Sequence, residues 1–357
     1  MKYDVTITTL SPLHIGTGTE LLRDYDFRCD KGRTWMLNQE AILAAEYEEE
    51  TGKGPIRWQR LKTPAGQLLS ADELKPDSPF VRYVLEDEPQ GNVIREQIKD
   101  AFGRVYIPGS SLKGALRTVL MMAYAVGQGF RFSEENLNNS REWAAQRWER
   151  AIFGSDPNHD LMRALHVVDS EPLPASQTLV LIRAEVMGGT KPGAPINVEA
   201  IKPDVSFRTS LLVDDYLFSS AAASLDFQRQ KDRLDRLVKE ARTWATDLLE
   251  KEIAFAKERP SLSQALNLYN QMLSSPLPPG AFFLQLGWGA GWQAKTVGPW
   301  LPPPMQRSVR ERYQLGRPPK ASRDWKPNSN TPFPKSRRAS KCYGPFGWVL
   351  VKMKKLL

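Results

Sequence analysis

The chain has 357 residues, of which 41% are hydrophobic and 25% are charged, a composition typical of a folded protein long enough for two domains. No stretch approaches the roughly 20 apolar residues that a membrane-spanning helix needs, and the N-terminal residues lack the apolar core of a secretory signal. Cys29 and Cys342 stand far apart without a CxxC pair, which argues against a disulfide framework and a cysteine zinc site. We therefore expect a cytoplasmic protein without a bound metal or cofactor.

The positive charge is concentrated near the C-terminus. The chain carries 49 Lys and Arg against 41 Asp and Glu, a net charge of +8. Residues 295–357 hold 15 basic and 2 acidic groups, a net of +13, so the remaining residues carry 34 basic against 39 acidic groups, a net of −5. Ten prolines lie between Pro299 and Pro345, and we expect this segment to be partly disordered when free.

Aromatic residues are interleaved with the basic groups of this C-terminal segment. They are Trp300, Tyr313, Trp325, Phe333 and Tyr343. Cations beside aromatic rings are typical of proteins that bind single-stranded nucleic acid, because phosphates attract the cations and bases stack on the rings. A solvated basic tail that promotes solubility is the alternative.

The first part of the chain predicts a strand, a hairpin, two helices and an irregular insertion. Residues 3–10 alternate apolar and polar side chains, which indicates a half-buried strand. A hairpin over 27–37 precedes a helix over 39–50. The Pro- and Gly-rich stretch 51–89 predicts a poorly regular insertion, followed by a helix over 91–101.

Helices and apolar strands alternate through the middle of the sequence. Apolar residues at helical spacing predict a helix over 112–126, and a second helix is predicted over 140–153. Strands rich in valine and leucine are predicted over 165–169, 179–186 and 205–213. Interleaved strands and helices of this kind favour an α+β fold.

The C-terminal part predicts a helical hairpin and two more strands. A long amphipathic helix over 225–253 is followed by an antiparallel partner over 261–273. A short apolar strand over 282–286 runs into a glycine-rich loop. Residues 347–353 form a final strand that returns to a core.

Three loops that contain glycine are the candidate phosphate-binding elements. They are 14–18 (HIGTG), 107–114 (IPGSSLKG) and 287–292 (GWGAGW). Glycine lets backbone amides approach a phosphate, and the second loop opens a helix whose N-terminus favours anions and that carries Lys113 and Arg117. Each loop alone is better explained as a tight turn or a cap. None matches the P-loop or the dinucleotide-binding pattern.

Few residues are candidates for catalysis. His14 is a possible general base, although a hydrogen-bonded loop histidine is the simpler interpretation. Asp24 and Asp26 are close together in an extended segment, where plain solvent exposure is the alternative to chemistry. His166 lies in an apolar predicted strand and is expected to be a core residue.

The order of the motifs resembles the RAMP proteins of CRISPR systems. A strand runs into SPLHIGTG and is followed by YIPGSSLKGALRT, then IFGS at 152–155, VVDS at 167–170, EAIKPDVSF at 199–207 and the last glycine-rich loop. IPGSSLKGALR is the most specific phrase, and the insertions between motifs lie outside the resemblance. Within the superfamily, the first loop and the length of the chain look most like the fifth, backbone-capping subunit family of type III-A Csm effector complexes.

This resemblance implies a fold of two RRM-like, ferredoxin-like domains with helical insertions. The N-terminal RRM-like domain would span 1–200, with insertions around 51–100 and 120–160. The C-terminal one would span 201–357, with a helical hairpin at 225–273 and the basic, proline-rich segment at 299–345.

The resemblance also implies a non-catalytic subunit that binds the 3′ portion of a guide crRNA through phosphate contacts. Such a subunit caps the backbone filament and supports crRNA maturation and antiviral defence. Its partners would be the guide crRNA, target RNA indirectly, the repeated backbone subunit and the small subunit, without a membrane. The matching RNA-binding residues are His14, Gly16, Gly18, Ser110, Ser111, Lys113, Arg117, Gly287, Gly289 and Gly291.

Two alternatives remain open at this point. The first is a RAMP endoribonuclease. The backbone subunits of this family cut target RNA with an acidic residue after the first motif, near Asp24 and Asp26, and His14 would serve a nuclease that processes guides. The second is a RAMP subunit of another type III complex, such as Cmr or a fused III-D form.

Overall fold

The computed structural model describes residues 1–51, 62–127, 129–189, 193–318, 320–322, 324–327 and 332–356. Its strands are β1 Lys2–Thr9, β2 Gly16–Leu22, β3 Phe27–Asp30, β4 Arg33–Leu37, β5 Val81–Glu86, β6 Val93–Gln97, β7 Leu165–Val167, β8 Leu179–Met187, β9 Ile196–Ile201, β10 Ser206–Val213, β11 Ala281–Gln285, β12 Arg337–Ser340, β13 Gly344–Pro345 and β14 Trp348–Lys355. Its α-helices are α1 Gln39–Thr51, α2 Ala65–Leu68, α3 Gly109–Gly127, α4 Gln146–Phe153, α5 Ala175–Thr178, α6 Lys231–Asp235, α7 Leu237–Lys257, α8 Ser263–Ser274, α9 Gly291–Lys295 and α10 Pro303–Arg312. The expected α+β class is confirmed.

A five-stranded antiparallel sheet has the order β11-β14-β1-β10-β7. Its central strand, β1, alternates as the sequence predicts: Val5 and Ile7 are buried, while Lys2 and Asp4 are exposed on the other face. Helices α3 and α7 contribute buried apolar residues to the same core as this sheet, including Leu112 of α3. The sheet therefore holds α3, which carries the second glycine loop, in a fixed position.

A six-stranded sheet has the order β13-β12-β8-β9-β6-β2, and β6 runs parallel to β9. One face buries a small apolar cluster that includes Ile182 and Val198 and is closed by Phe346, with Trp288 packed at its side. The hairpin β3–β4 pairs with β5 in a separate three-stranded sheet, so the predicted hairpin is confirmed.

Two predictions for the first part of the chain are wrong. The helix expected over 91–101 is instead strand β6, and the insertion over 51–89 that was expected to be poorly regular contains strand β5 and the short helix α2 in its described part. Pairing of β6 between β2 and β9 buries Ile94 and Gln97, and this tertiary context overrides the helix propensity of its Glu, Arg and Gln residues. Residues 52–61 of the insertion lie outside the described residues.

The basic C-terminal segment was expected to be partly disordered, and its described residues instead contribute to the core. Met305 and Val309 of α10 are buried, as is Tyr313, and β12 pairs with β8. Arg337 of β12 forms a two-pronged ion pair with the buried Glu252 of α7, with N–O distances of 2.8 Å. Much of this segment is therefore structural.

The helical hairpin is present, although the helix predicted over 225–253 is interrupted at Arg236, where α6 gives way to α7. The predicted boundary at residue 200 stays a prediction, and the five-stranded sheet takes strands from both sides of it.

Among the described residues, none of the helices combines the length and apolarity required to cross a bilayer.

Candidate nucleic-acid interface

The three glycine-containing loops meet in one cleft of about 750 Å³. The lining combines backbone, hydroxyl groups and a small number of charges. It consists of His14, Ile15, Gly16, Gly18, Thr19, Glu20, Arg95, Glu96, Ser110, Ser111, Gly114, Ala115, Thr118, Gln285, Leu286, Gly287, Trp288 and Lys295. Residues separated by more than 250 positions in the sequence thus share one surface.

The first and third loops are locked together at His14 and Gly287. The backbone N–H of Trp288 donates to the His14 carbonyl oxygen at 2.7 Å, and the two rings meet edge to face with centroids 5.9 Å apart. Gly287 has φ of +69°, and a Cβ there would lie 2.4 Å from the His14 oxygen. A side chain at position 287 would therefore both strain the backbone and separate the loops.

His14 itself is a buried, hydrogen-bonded residue. Its Nδ1 donates to the carbonyl oxygen of Glu199 at 2.6 Å, and a Cβ at Gly16 would lie 2.8 Å from its Nε2. Burial lowers the pKa of His14 to about 4, and the nearby positive charges of Arg95 and Lys99 act in the same direction. The ring is neutral at pH 7 and adds no positive charge to the cleft.

The low pKa of His14 predicts a pH-dependent contribution to stability. The unfolded chain takes up this proton near pH 6.5, while the folded chain takes it up only near 4. The stability is therefore fully present above pH 6.5 and is lost as the pH falls towards 4, by about 3 kcal/mol in total. His14→Asn can still donate to Glu199 and should lack this component in chemical-denaturation curves measured from pH 7 to 4.

The matched control is His166→Asn. His166 is exposed on the edge strand β7, so the expectation of a core residue is wrong, and this variant removes a histidine that lacks the burial of His14. Parallel curves for wild type and His14→Asn would contradict the prediction.

A buried polar network centred on Glu199 holds the first loop. The Glu199 carboxylate accepts hydrogen bonds from Lys99 Nζ at 2.6 Å, from the Gln97 backbone N–H at 3.0 Å and from the Tyr83 hydroxyl. The Gln97 side chain in turn accepts the backbone N–H of Ile15 at 2.8 Å. Burial, followed by the charge of Glu199, raises the pKa of Tyr83 well above its usual value. Three strands therefore fix the path of the loop.

The second loop is held by the VVDS motif. The Gly109 N–H donates to Asp169 Oδ1 at 2.7 Å, and the Ile107 N–H donates to Ser170 Oγ at 2.9 Å. The N–H of Ser111 donates to the Pro108 carbonyl oxygen. The amides of Gly109 and Ser111, at the helix start that the sequence suggested as an anion site, thus already have acceptors. Ser110 and Ser111 themselves line the cleft.

Lys113 and Arg117 do not line the three-loop cleft. They lie on the flank of α3 that faces a neighbouring cavity of about 980 Å³. Arg117 pairs with Glu149 and Asp160, at 3.1 and 2.8 Å, and its Cζ lies 4.2 Å from the centre of the Phe153 ring. Their assignment as RNA contacts stays a prediction, and the contacts of Arg117 give it a structural role in the free chain.

The remaining predicted glycines differ in their surroundings. Gly18 and Gly291 have positive φ with nothing within 4 Å of an added Cβ. Gly289 has φ of +93°, and a Cβ would lie 2.8 Å from the side chain of Phe346. Gly289 is therefore constrained by packing, while Gly18 and Gly291 are constrained only by backbone conformation.

The structure also identifies cleft residues that sequence reasoning missed. Arg95 and Lys295 provide the cleft with basic side chains, and Glu199 and Asp169 position its loops. Glu199 and Asp169 lie inside the motifs that resemble RAMP proteins, and nothing else in the sequence pointed to a role for them. Arg95 lies in the segment interpreted as a helix, and nothing in the sequence marked it.

Asp24 and Asp26 lie outside the cleft lining. The Asp26 carboxylate accepts hydrogen bonds from the Leu22 N–H and the Gln39 side chain, each at 2.7 Å. Asp24 has φ of +67°, and its carbonyl oxygen accepts the Gly66 N–H. Within the described part of the chain, no group of three or more His, Cys, Asp or Glu residues is placed to hold a metal ion. The geometry gives Asp26 a turn-stabilising role.

The family follows from comparison with known proteins. The model of the RAMP superfamily matches residues 6–292. The chain belongs to the RAMP superfamily. The resemblance seen in the motifs is thereby confirmed, and this RAMP protein is 31% identical over 244 residues to the "CRISPR system Cms protein Csm5" of Streptococcus thermophilus. That alignment covers 60% of this chain and 65% of the relative, so the chain spans just under two thirds of it.

Solved structures extend the likeness of this RAMP protein to nearly its full length. One chain of a cryo-EM structure of a Csm-crRNA-target RNA ternary complex from a type III-A CRISPR-Cas system is 27% identical, with a TM-score of 0.73 and coverage of 99% of this chain and all of that one. The crystal structure of T. onnurineus Csm5 is 24% identical, with a TM-score of 0.68, and covers 96% of this chain and 99% of that one. The chain is a Csm5-like RAMP protein.

Proposed function

We propose that this chain is a non-catalytic subunit of a type III-A CRISPR effector complex. It binds the 3′ portion of the guide crRNA, caps the backbone filament and contacts the repeated backbone subunit and the small subunit. The convergence of the three glycine-containing loops on one cleft carries the proposal. Its likeness to a chain of a Csm-crRNA-target RNA complex supports it.

We further propose that the five-stranded sheet is an RRM-like unit. Its elements β1, α3, β7, β10, α7 and β14 follow the βαββαβ order, and the strand order β14-β1-β10-β7 is that of a ferredoxin-like sheet, with β11 added at one edge. A second unit would be centred on the six-stranded sheet. The cleft lies where loops and helices of the two sheets meet.

The chemistry of the cleft suits a sugar–phosphate backbone rather than base edges. Exposed Ser110 and partly exposed Ser111 offer hydroxyl donors, and Arg95 and Lys295 offer cations. The carboxylates of the lining are beside cations: Glu20 lies 3.8 Å from Arg95. Contacts of this type do not depend on base identity, as a protein that carries variable guides requires.

Gly114→Ala tests this proposal. Gly114 is exposed, lies inside helix α3 and lines the cleft, and an added Cβ meets nothing within 4 Å in the free chain. Alanine should therefore keep or raise stability, by up to about 1 kcal/mol. If RNA packs against this surface, the methyl group should cost about 1 to 3 kcal/mol of binding, a roughly 5- to 150-fold loss of affinity for unrelated guide sequences.

The matched control is Gly127→Ala at the other end of α3, which also has open space around it and does not line the cleft. Fluorescence anisotropy with labelled single-stranded RNA measures affinity, and thermal unfolding measures stability. Equal affinities for wild type, Gly114→Ala and Gly127→Ala would contradict RNA binding in this cleft.

A further inference from the structure

Two arginines lie against one tryptophan at the edge of the cleft. Cζ of Arg95, on β6, is 5.9 Å from the centre of the Trp288 ring, and Cζ of Arg338, on β12, is 5.7 Å from it. His14 and Phe346 pack against the same indole edge to face, with centroids 5.9 and 5.6 Å away. The indole is thus fixed in place, and it brings together two cations from opposite parts of the six-stranded sheet.

These two guanidinium groups are poorly neutralised by the chain. Arg338 donates to the Ala194 carbonyl oxygen at 3.2 Å and has no carboxylate within 4 Å among the described residues. The ion-pair partner of Arg95 is Glu20, 3.8 Å away and 55% exposed. Burial and the positive charge of Arg95 both lower the pKa of Arg338. Two positive charges held near one ring repel each other, and a bound anion would offset this repulsion.

The neighbouring residue shows that the arrangement is specific to Arg338. Arg337 forms the two-pronged ion pair with buried Glu252, on the side of the strand that faces α7. Successive strand residues point to opposite faces, so Arg338 points the other way, towards Trp288. Arg337 is fully used inside the protein, whereas Arg338 donates one N–H to the Ala194 carbonyl oxygen and keeps its other donors for a ligand.

We infer that Arg95 and Arg338, held on Trp288, form a phosphate clamp for the backbone of single-stranded RNA as it passes out of the three-loop cleft. This inference rests on the proposed function. RNA is favoured over an acidic protein segment because Arg95 and Trp288 also line the cleft, so a strand lying against Ser110 would continue directly onto the clamp. Guanidinium groups match phosphate oxygens through paired N–H donors.

The test uses the full chain with the variants R95Q, R338Q and the double variant. Binding of two unrelated single-stranded RNAs of equal length is measured by anisotropy between about 50 and 200 mM salt. Each lost phosphate contact should lower the slope of log K against log salt by about 0.7, and the double variant should lower it by about 1.4 for both RNAs. Arg338→Lys keeps the charge and should retain most of the slope.

Arg236→Gln is the matched control. Arg236 is 53% exposed, pairs with Asp232 at 2.7 Å and lies outside the cleft, so its loss should leave the slope unchanged. Thermal unfolding establishes that each variant is folded. If R338Q fails to fold, R95Q alone tests the clamp, and the slope of log K against log salt should then fall by about 0.7.

Two results would overturn the clamp while leaving the proposed function intact. One is a double variant that binds RNA with the wild-type slope. The other is a double variant that keeps wild-type RNA binding and fails to join the other subunits, which would assign the arginines to an acidic protein partner. If the wild-type chain showed no RNA binding at all, the proposed function itself would fail.

Discussion

Replacing Glu199 with alanine is expected to lower the free energy of unfolding by about 3 to 5 kcal/mol. The carboxylate is fully buried and is the close acceptor of Lys99, whose side chain is only 10% exposed. Removing it leaves the Tyr83 hydroxyl and the Gln97 N–H without their acceptor, and it leaves the buried Lys99 ammonium with only the Gln97 carbonyl oxygen at 3.1 Å and the Glu96 carboxylate at 3.6 Å. Urea denaturation at pH 7 measures the loss.

The matched control for Glu199 is Glu86→Ala. Glu86 pairs with Arg33 at 3.3 Å, and both side chains are largely exposed, so its removal should cost less than about 1 kcal/mol. A Glu199→Ala variant as stable as Glu86→Ala would show that the network is not needed to hold the strands together. Glu199→Gln keeps the size of the side chain and should lie between the two.

Gly109→Ala is expected to destabilise the chain by about 3 kcal/mol and to weaken RNA binding. A Cβ at this position would lie 2.2 Å from the carbonyl oxygen of Val167, which is backbone and cannot rotate away. The start of α3 would have to move off β7 and lose the bond from the Gly109 N–H to Asp169. Thermal unfolding and RNA anisotropy are the two measurements.

Gly114→Ala, five residues further along α3, is the contrast for this prediction. It adds the same methyl group to the same helix where nothing lies within 4 Å, so it should not lower the melting temperature. Equal melting temperatures for the two variants would mean that α3 can shift on β7 at little cost.

Two strands were hard to predict from the sequence because each buries a charged or an amide side chain. Strand β1 was found because its buried residues Val5 and Ile7 are apolar and alternate with exposed or partly exposed polar residues. Strands β6 and β9 were misread or missed because each places a polar residue in the interior: Gln97 in β6 and Glu199 in β9. These residues form the network that fixes the first loop, so the feature that hides the strands also builds the site.

The sequence indicated which motifs form the candidate site, but it did not show how their side chains are arranged in space. Helical spacing correctly places Lys113 and Arg117 on one flank of α3. It does not show which flank faces the cleft, because that depends on α4 and on the turn that carries Asp160, which pack against Arg117. Interleaved basic and aromatic residues of the C-terminal segment similarly suggested binding of nucleic acid or a solvated tail, and Arg337 is instead used within the fold.

The central position of β1 has a consequence for the order in which the protein can be made. Its two neighbours are β10 and β14, where Val5 lies opposite Thr209 and Met353, so synthesis delivers both partners of β1 long after β1 itself. Until β14 emerges from the ribosome, one edge of β1 stays unpaired and open to misassociation with other chains. The 287–292 loop, the third wall of the cleft, is likewise made long after the first loop, whose His14 carbonyl oxygen accepts the Trp288 N–H. The first loop follows β1 and the third loop follows β11, and both strands pair with β14, so the cleft is complete only once β14 has joined the sheet.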